Sequence, residues 1–138
     1  MALTVQRIEY FALSVPDTAG EGHRILGGLA AEGVNLRAFS GFPTGEGKAQ
    51  IDLVPEDTQR FLAAATKLKL RPRKPKHAFL VQGDVDRPGA IDEVVAKLAA
   101  QRIQVTAAQA LAAGGGRWAM ILWVKPGSVE KAAKALGA

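Results

Sequence analysis

The segment Asp84-Val85-Asp86-Arg87-Pro88-Gly89 separates two apolar stretches of different periodicity. Before it, residues 78–81 form a short run of side chains that suit a buried strand. After it, apolar residues recur at the spacing of one helical face, at Ile91, Val94, Val95, Leu98 and Ala99. The segment therefore predicts a strand, a turn and an amphipathic helix.

The turn has the composition of a helix start. Pro88 fits the first helical turn, where a missing N–H costs nothing, and Asp86 is expected to cap the helix by accepting from an amide. Gly89 has no Cβ, so backbone or ligand can approach closely there. A helix start presents free amides and the positive end of the macrodipole, which can hold a carboxylate or phosphate. The loop by itself also fits a plain strand-to-helix turn.

The segment lies in a half of the chain that the other half repeats. The offset is 69 residues through the first helix and becomes 70 after the glycine turn. The matched residues are Asp17, Gly20 and Leu29 with Asp86, Gly89 and Leu98, and then Ala49, Ile51 and Val54 with Ala119, Ile121 and Val124. This period is too long for a solenoid. It indicates two duplicated small domains, at residues 7–74 and 75–138.

Each half follows the element order βαββαβ, although the second half stops before its last strand. The predicted strands are residues 7–15, 34–42, 48–54 and 70–74, then 77–85, 103–111 and 117–124. The predicted helices include residues 89–102 and 128–136, and Gly33 is expected to end the first helix. The fold class is therefore α+β, with two tandem ferredoxin-like units whose antiparallel sheets carry helices on one face.

The sequence resembles a tandem pair of ACT domains, small regulatory modules that bind amino acids. The resemblance spans roughly residues 10–136. It rests on Val85-Asp86-Arg87-Pro88-Gly89-Ala90-Ile91, close to the family's D-x-P-G pattern, on Gly33-Val34-Asn35-Leu36 at the helix exit, and on the duplicated element order.

The resemblance implies that an amino acid binds at the strand-to-helix loops, often at an interface between paired domains. Helix-start amides would hold its carboxylate. The implied site residues are Asp86, Arg87, Pro88, Gly89 and Ala90 in one loop, Asp17, Thr18, Ala19, Gly20 and Glu21 in the other, and Asn35 at the start of the second strand.

The first repeat departs from the family pattern. Ala19 stands where the proline should be, and Glu21-Gly22 follows Gly20. The Glu21 carboxylate near a helix start would repel an anionic ligand or meet the ligand's ammonium group. We therefore expect the two loops not to be equivalent sites.

The net charge of +5 arises from one connector. Its basic residues are Lys67, Lys69, Arg71, Arg73, Lys74 and Lys76. Such a patch can bind polyanions. The prolines within it, Pro72 and Pro75, mark a solvated linker, so nucleic-acid binding is the least favoured of the binding functions.

Several kinds of chemistry are absent from the sequence. The chain has no Cys and only two His, without the spacing of a zinc site. No serine has a nucleophile-elbow context, and Gly114-Gly115-Gly116 lacks the lysine of a phosphate loop. We therefore expect no enzyme, catalytic residue, metal or cofactor. The start of the chain lacks a signal-peptide pattern and residues 118–124 are too short to span a bilayer, so a cytoplasmic protein is expected.

The favoured function is a regulatory module that senses a free amino acid or similar small carboxylate. Open sheet edges predict a homodimer, and a partner enzyme is a further candidate partner. The main alternative is a structural or protein-interaction module whose ligand loops are vestigial. Polyanion binding through residues 67–76 is the third alternative.

Overall fold

A computed structural model describes residues 3–138, which form two units. The first unit is Glu9–Lys76. The second unit is His77–Ala138 together with the start of the chain up to Ile8. Both units are α+β, with antiparallel strand pairs and two α-helices each.

The first unit contains two helices and three strands. They are β1 (Leu3–Pro16), which starts in the second unit, α1 (Glu21–Ala31), β2 (Leu36–Gly45), β3 (Lys48–Pro55) and α2 (Thr58–Lys67). Strand β3 is paired antiparallel with both β1 and β2. Alternate residues of the strands meet both helices in one apolar core, in which the rings of Phe11 and Phe61 are 4.8 Å apart.

Local chemistry sets the helix ends of this unit. Asp57 caps α2, and its carboxylate accepts from Arg60 N at 3.1 Å. Gly33 follows α1 with a φ of +75°, and Val34 N donates to Leu29 O at 3.0 Å. Glycine takes this left-handed conformation without strain, so the predicted helix end at Gly33 is confirmed.

The second unit repeats the arrangement with β4 (Lys76–Gly83), α3 (Ala90–Ala100), β5 (Val105–Gly114), β6 (Arg117–Val124) and α4 (Val129–Leu136). A short 3-10 turn, Pro126–Ser128, precedes α4. Strand β6 is paired with both β4 and β5. Its core combines alternate strand residues such as Phe79 and Leu122 with Leu98 of α3 and Ala132 of α4.

The start of the chain supplies the strand that the second repeat lacks. Strand β1 is next to β4 in the strand order. Leu3 and Val5 pack against the core of the second unit, and Arg7 Nη1 donates to Glu130 Oε1 of α4 at 2.7 Å. The second unit therefore has a fourth strand, although residues 75–138 do not contain it. Sequence alone missed this because nothing local specifies the partner of an N-terminal strand.

The strand predicted at residues 70–74 is not formed. Residues 71–75 have no regular structure, although Arg73 N donates to Ala12 O at 2.9 Å. Pro72 and Pro75 have no N–H, so this segment cannot sustain a ladder of hydrogen bonds along β1.

The offset of 70 after the glycine turn is wrong by one residue. Ile51 and Leu53 of β3 point into the first core, and Met120 and Leu122 of β6 point into the second. These pairs are 69 residues apart. Ile121 lies outside that core, because a shift of one residue turns a side chain to the other face of a sheet.

The described part of the chain contains no helix that is both long enough and apolar enough to cross a membrane.

Candidate ligand-binding pockets

Each unit has a pocket beside its strand-to-helix loop. We call the pocket in the second unit the α3 pocket and the one in the first unit the α1 pocket; their volumes are about 380 and 240 Å³. The α3 pocket is lined by Asp86, Arg87, Gly89, Ala90, Ile91, Asp92, Ala110, Leu111, Ala112 and Trp118. The α1 pocket is lined by Val15, Pro16, Asp17, Thr18, Glu21, Gly22, Gly41, Phe42, Pro43, Ala49, Gln50 and Ile51.

The two pockets occupy the same place in their repeats. Leu111 follows Phe42 by 69 positions, and Trp118 follows Ala49 by the same distance. The loops match in the same way, since Gly20 and Gly89 are the N-cap residues of α1 and α3. The duplication has therefore kept the position of the pocket and changed its lining.

The helix start beside the α3 pocket is built around a glycine. Gly89 has a φ of +86° and α3 begins at Ala90 without a side-chain cap. The predicted cap at Asp86 is therefore wrong, and Pro88 precedes the helix and does not lie in its first turn. A left-handed N-cap favours glycine, which leaves Asp86 to line the pocket. The first bond of α3 joins Glu93 N to Gly89 O at 3.0 Å, so the amides of Ile91 and Asp92 have no intrahelical acceptor.

The charges of the α3 pocket lie on the loop and the first helical turn. Arg87 pairs with Glu93, and Arg87 Nη1 also donates to Pro88 O at 3.3 Å. Asp86 and Asp92 add two carboxylates to the lining. The pocket thus combines helix-start amides, which suit an anion, with carboxylates, which suit a cation.

The α1 pocket has a carboxylate of its own at the helix start. Glu21 is the first residue of α1, and Arg24 holds it with two hydrogen bonds of 2.5 and 3.2 Å. The hydrogen bond from Arg24 lowers the pKa of Glu21 below its usual value. A carboxylate at this position already interacts with the positive end of the helix. The corresponding residue in the α3 pocket is Ala90.

A tryptophan forms the base of the α3 pocket. Trp118 is opposite Gly83 in the β4–β6 ladder, and a Cβ on Gly83 would lie only 2.2 Å from Trp118 Nε1. The indole therefore occupies the space above the glycine. At the matching place in the first unit, Val15 is opposite Ala49, so the bulky residue there is on the other strand.

Three comparisons with known proteins place this fold. No family model and no curated protein matches the sequence. Among solved structures, protein BT0572 from Bacteroides thetaiotaomicron matches with a TM-score of 0.81 at 14% identity, over 96% of this chain and 88% of that chain. The ligand-free regulatory subunit of aspartate kinase from Thermus thermophilus matches with a TM-score of 0.64 at 16% identity, over 98% and 94% of the two chains.

The alpha and beta subunits of an aspartokinase also match, with a TM-score of 0.64 at 15% identity, over 99% of this chain and 95% of that chain. These structures are tandem ACT-domain proteins. The chain has the tandem ACT-domain fold. The resemblance found in the sequence is confirmed at the level of the fold, which is what a likeness at such low identity shows.

Within this ACT fold, most residues of the two predicted loops line the pockets. Asp86, Arg87, Gly89 and Ala90 line the α3 pocket, and Asp17, Thr18 and Glu21 line the α1 pocket. Pro88, Ala19 and Gly20 belong to the same loops but are not lining residues.

Asn35 is not brought to either pocket. It follows the far end of α1, about 16 Å along the helix from the loop, and its Nδ2 donates to Glu56 Oε2 at 2.9 Å. An 11-residue helix separates the two predicted parts of that ACT site.

Sequence reasoning missed the hairpin side of both pockets. Leu111 and Trp118 in one ACT unit and Phe42 and Gln50 in the other come from strands that the loop motif does not include. The exact register of the two repeats was the signal that could have found them. No group of three or more His, Cys, Asp or Glu within residues 3–138 is placed to hold a metal ion.

Proposed function

We propose that this chain is a regulatory module that binds a free amino acid in the α3 pocket. The observation that carries the proposal is the combination, in one pocket, of helix-start amides, two carboxylates and an apolar wall. The ligand carboxylate would accept from the amides of Ile91 and Asp92, and its ammonium group would meet the carboxylates of Asp86 and Asp92. Asp86, Arg87, Gly89 and Ala90 are the predicted site residues that this arrangement uses.

The α1 pocket has a different role in this proposal. Glu21 places a carboxylate where the ligand carboxylate would otherwise lie, and Arg24 keeps it there. The free energy of placing a second carboxylate beside it would be unfavourable. Asp17, Thr18, Ala19 and Gly20 would then have a structural role, and each chain would bind one amino acid.

Regulation would follow from a difference in affinity between two arrangements of the chain, since a ligand shifts an equilibrium only through such a difference. Two of the similar folds are named as a regulatory subunit of aspartate kinase and as aspartokinase subunits. This supports a partner enzyme whose activity depends on the bound amino acid.

Strand β5 supports self-association. It lies at the end of the strand order, every residue after Val105 in it is exposed, and it has no charged residue. Edge strands that avoid pairing usually carry charges or proline. We therefore propose a homodimer in which β5 pairs antiparallel with β5 of a second copy, because such an interface is self-complementary.

The basic connector supports polyanion binding less well. Lys67 pairs with Glu32 at 3.1 Å, and Arg73 Nη1 donates to Gln50 Oε1 at 3.4 Å. Two of the six cations thus already have partners within the first unit.

Thermal unfolding in the presence of each of the twenty amino acids tests the proposal. A ligand of the folded state at a hundredfold excess over its Kd stabilises it by about 2.7 kcal/mol, so one or a few amino acids should raise Tm. Asp86→Asn should weaken this effect by roughly tenfold in Kd, because it removes a charge-assisted contact. Asp17→Asn, the matched change in the first unit, should leave it unchanged.

Curves that are flat for all twenty amino acids would contradict the proposal and favour a protein-interaction module. The exposed Phe39 and Phe42 of β2, at 45% and 43% of their possible exposure, would then be the first surface to test.

A further inference from the structure

We infer that the amino acid bound in the α3 pocket has an uncharged, apolar side chain. This inference rests on the proposed function, because it concerns the ligand of the same pocket. It follows from how polar and apolar groups are divided between the two sides of that pocket.

The side formed by the hairpin has no charge. Ala110, Leu111 and Ala112 of β5 form the wall and Trp118 of β6 the base, and none of the residues from Val105 to Gly114 is ionisable. Leu111 keeps 66% of its surface exposed. A ligand side chain that covered this leucine would remove apolar surface from water on both molecules, which is the main favourable contribution to binding.

The charges are confined to the loop and the first turn of α3, where the ligand's own ammonium and carboxylate groups would lie. An acidic ligand side chain would meet Asp86 and Asp92, while the guanidinium of Arg87 is already paired with Glu93. A basic side chain that reached the hairpin would lose water without finding a carboxylate there. Burial of an uncompensated charge is unfavourable in both cases.

The base of the pocket cannot easily recede. The Trp118 indole fills the space above Gly83, and its side chain is part of the core, with 6% of its surface exposed. The volume of about 380 Å³ is near the small end of the range of roughly 300 to 1,000 Å³ for small-molecule pockets. A leucine-sized or phenylalanine-sized amino acid suits such a pocket.

Calorimetric titration of the full chain tests this inference. The probes are leucine, isoleucine, valine, methionine and phenylalanine, compared with aspartate, lysine and serine. At least one apolar amino acid should bind roughly tenfold more tightly than any of the other three. Leu111→Ser should weaken that binding by roughly tenfold, whereas Phe42→Ser, the matched change in the α1 pocket, should not alter it. Both leucine and serine can pair through the main chain of an edge strand, so neither variant removes backbone contacts.

Three results would be decisive in the other direction. Tight binding of aspartate, lysine or serine by the unaltered protein would overturn the inference and leave the proposed sensing of an amino acid intact. Unchanged leucine or phenylalanine affinity in Leu111→Ser would do the same. Binding of none of the eight probes, nor of any other amino acid, would overturn the proposed function as well.

Discussion

Gly83 and Trp118 exchange size with the matching pair of the first repeat. Val15 is opposite Ala49 in β1 and β3, whereas Gly83 is opposite Trp118 in β4 and β6. Each pair combines one large and one small side chain, and the large one is on the opposite strand in the two repeats. The total size is what packing requires, because the interior tolerates neither a clash nor a void.

This exchange predicts the outcome of a three-variant series. Gly83→Val should destabilise the fold by about 1 to 3 kcal/mol, since its Cβ would be 2.2 Å from the indole. Gly83→Val with Trp118→Ala copies the first repeat and should recover part of that loss. Urea unfolding measures all three.

Gly127→Ala is a suitable control for the series. A Cβ at Gly127 meets no atom within 4 Å, so this change should alter stability by less than about 0.5 kcal/mol. Equal destabilisation by the double variant and by the sum of the two single variants would contradict the paired arrangement.

Asp52 is a buried carboxyl on the face of β3 that does not meet the helices. It is opposite Ala12 and Ser40 in the two ladders, and 6% of its surface is exposed. Gln50 Nε2 donates to its Oδ1 at 2.9 Å. Burial raises the pKa of Asp52 above its usual 3.8, although this hydrogen bond and the charges of Arg73 and Lys76 oppose the rise.

A raised pKa makes Asp52 unfavourable for stability when it is ionised. Between 3.8 and the higher folded pKa, the folded state binds more protons than the unfolded state, so stability falls as pH rises. Asp52→Asn should therefore be more stable than the unaltered protein at neutral pH, and the difference should vanish below pH 3.8. Urea unfolding from pH 3 to 8 tests this.

Glu46→Gln, in the exposed turn between β2 and β3, controls for the change in net charge. A lower stability of Asp52→Asn at neutral pH would mean that Arg73 and Lys76 outweigh the cost of burial.

At the scale of elements, sequence predicted best what depends on local pattern. The strand at Arg117–Val124 was predicted with the bounds that the structure has, and the helix predicted at residues 128–136 forms as Val129–Leu136. These elements have strong periodicity and clear turn residues at their ends. The helix end at Gly33 also depends only on neighbouring residues.

Features that depend on a distant partner could not be predicted in this way. Strand β5 begins at Val105, two residues later than predicted, and continues to Gly114, because its extent is set by pairing with β6. The motif located half of the α3 pocket through Asp86 and Arg87. It could not locate Leu111 or Trp118, whose approach to the loop is a consequence of sheet register.

Strand β5 also carries a prediction about assembly. If its free edge pairs with a second copy, Ala108→Lys should convert the dimer into a monomer, because it places two like charges near each other at the two-fold axis. Sedimentation across a range of protein concentrations measures the change. The residue is exposed, so the fold should tolerate the lysine.

Ala38→Lys provides the comparison on β2, the strand at the other end of the order. That strand already contains Arg37 and Pro43, residues that discourage edge pairing. Loss of the dimer in Ala38→Lys but not in Ala108→Lys would place the interface on β2 and contradict pairing through β5.

At the scale of the whole molecule, the two repeats are not two consecutive folding units. The second unit takes its fourth strand from the start of the chain, and the whole of Glu9–Lys76 lies between the two pieces. The contacts that join Leu3, Val5 and Arg7 to the second unit are therefore among the most distant in sequence; Arg7 and Glu130 are 123 residues apart.

This connectivity predicts how fragments behave. The piece 77–138 alone lacks the strand that completes its sheet and leaves the apolar side of β4 next to water, so we expect it to be unfolded or aggregated. The same piece with residues 3–8 joined behind Ala138 regains Leu3, Val5 and the pair between Arg7 and Glu130. We expect it to fold cooperatively, with slow amide exchange in β4, as measured by hydrogen exchange and thermal unfolding. Replacing Val5 by Asp in the joined piece should remove this gain, because it places a carboxylate against the core. Equal stability of the two pieces would mean that the strand is dispensable, and the chain could then be divided into the two consecutive domains that the sequence suggested.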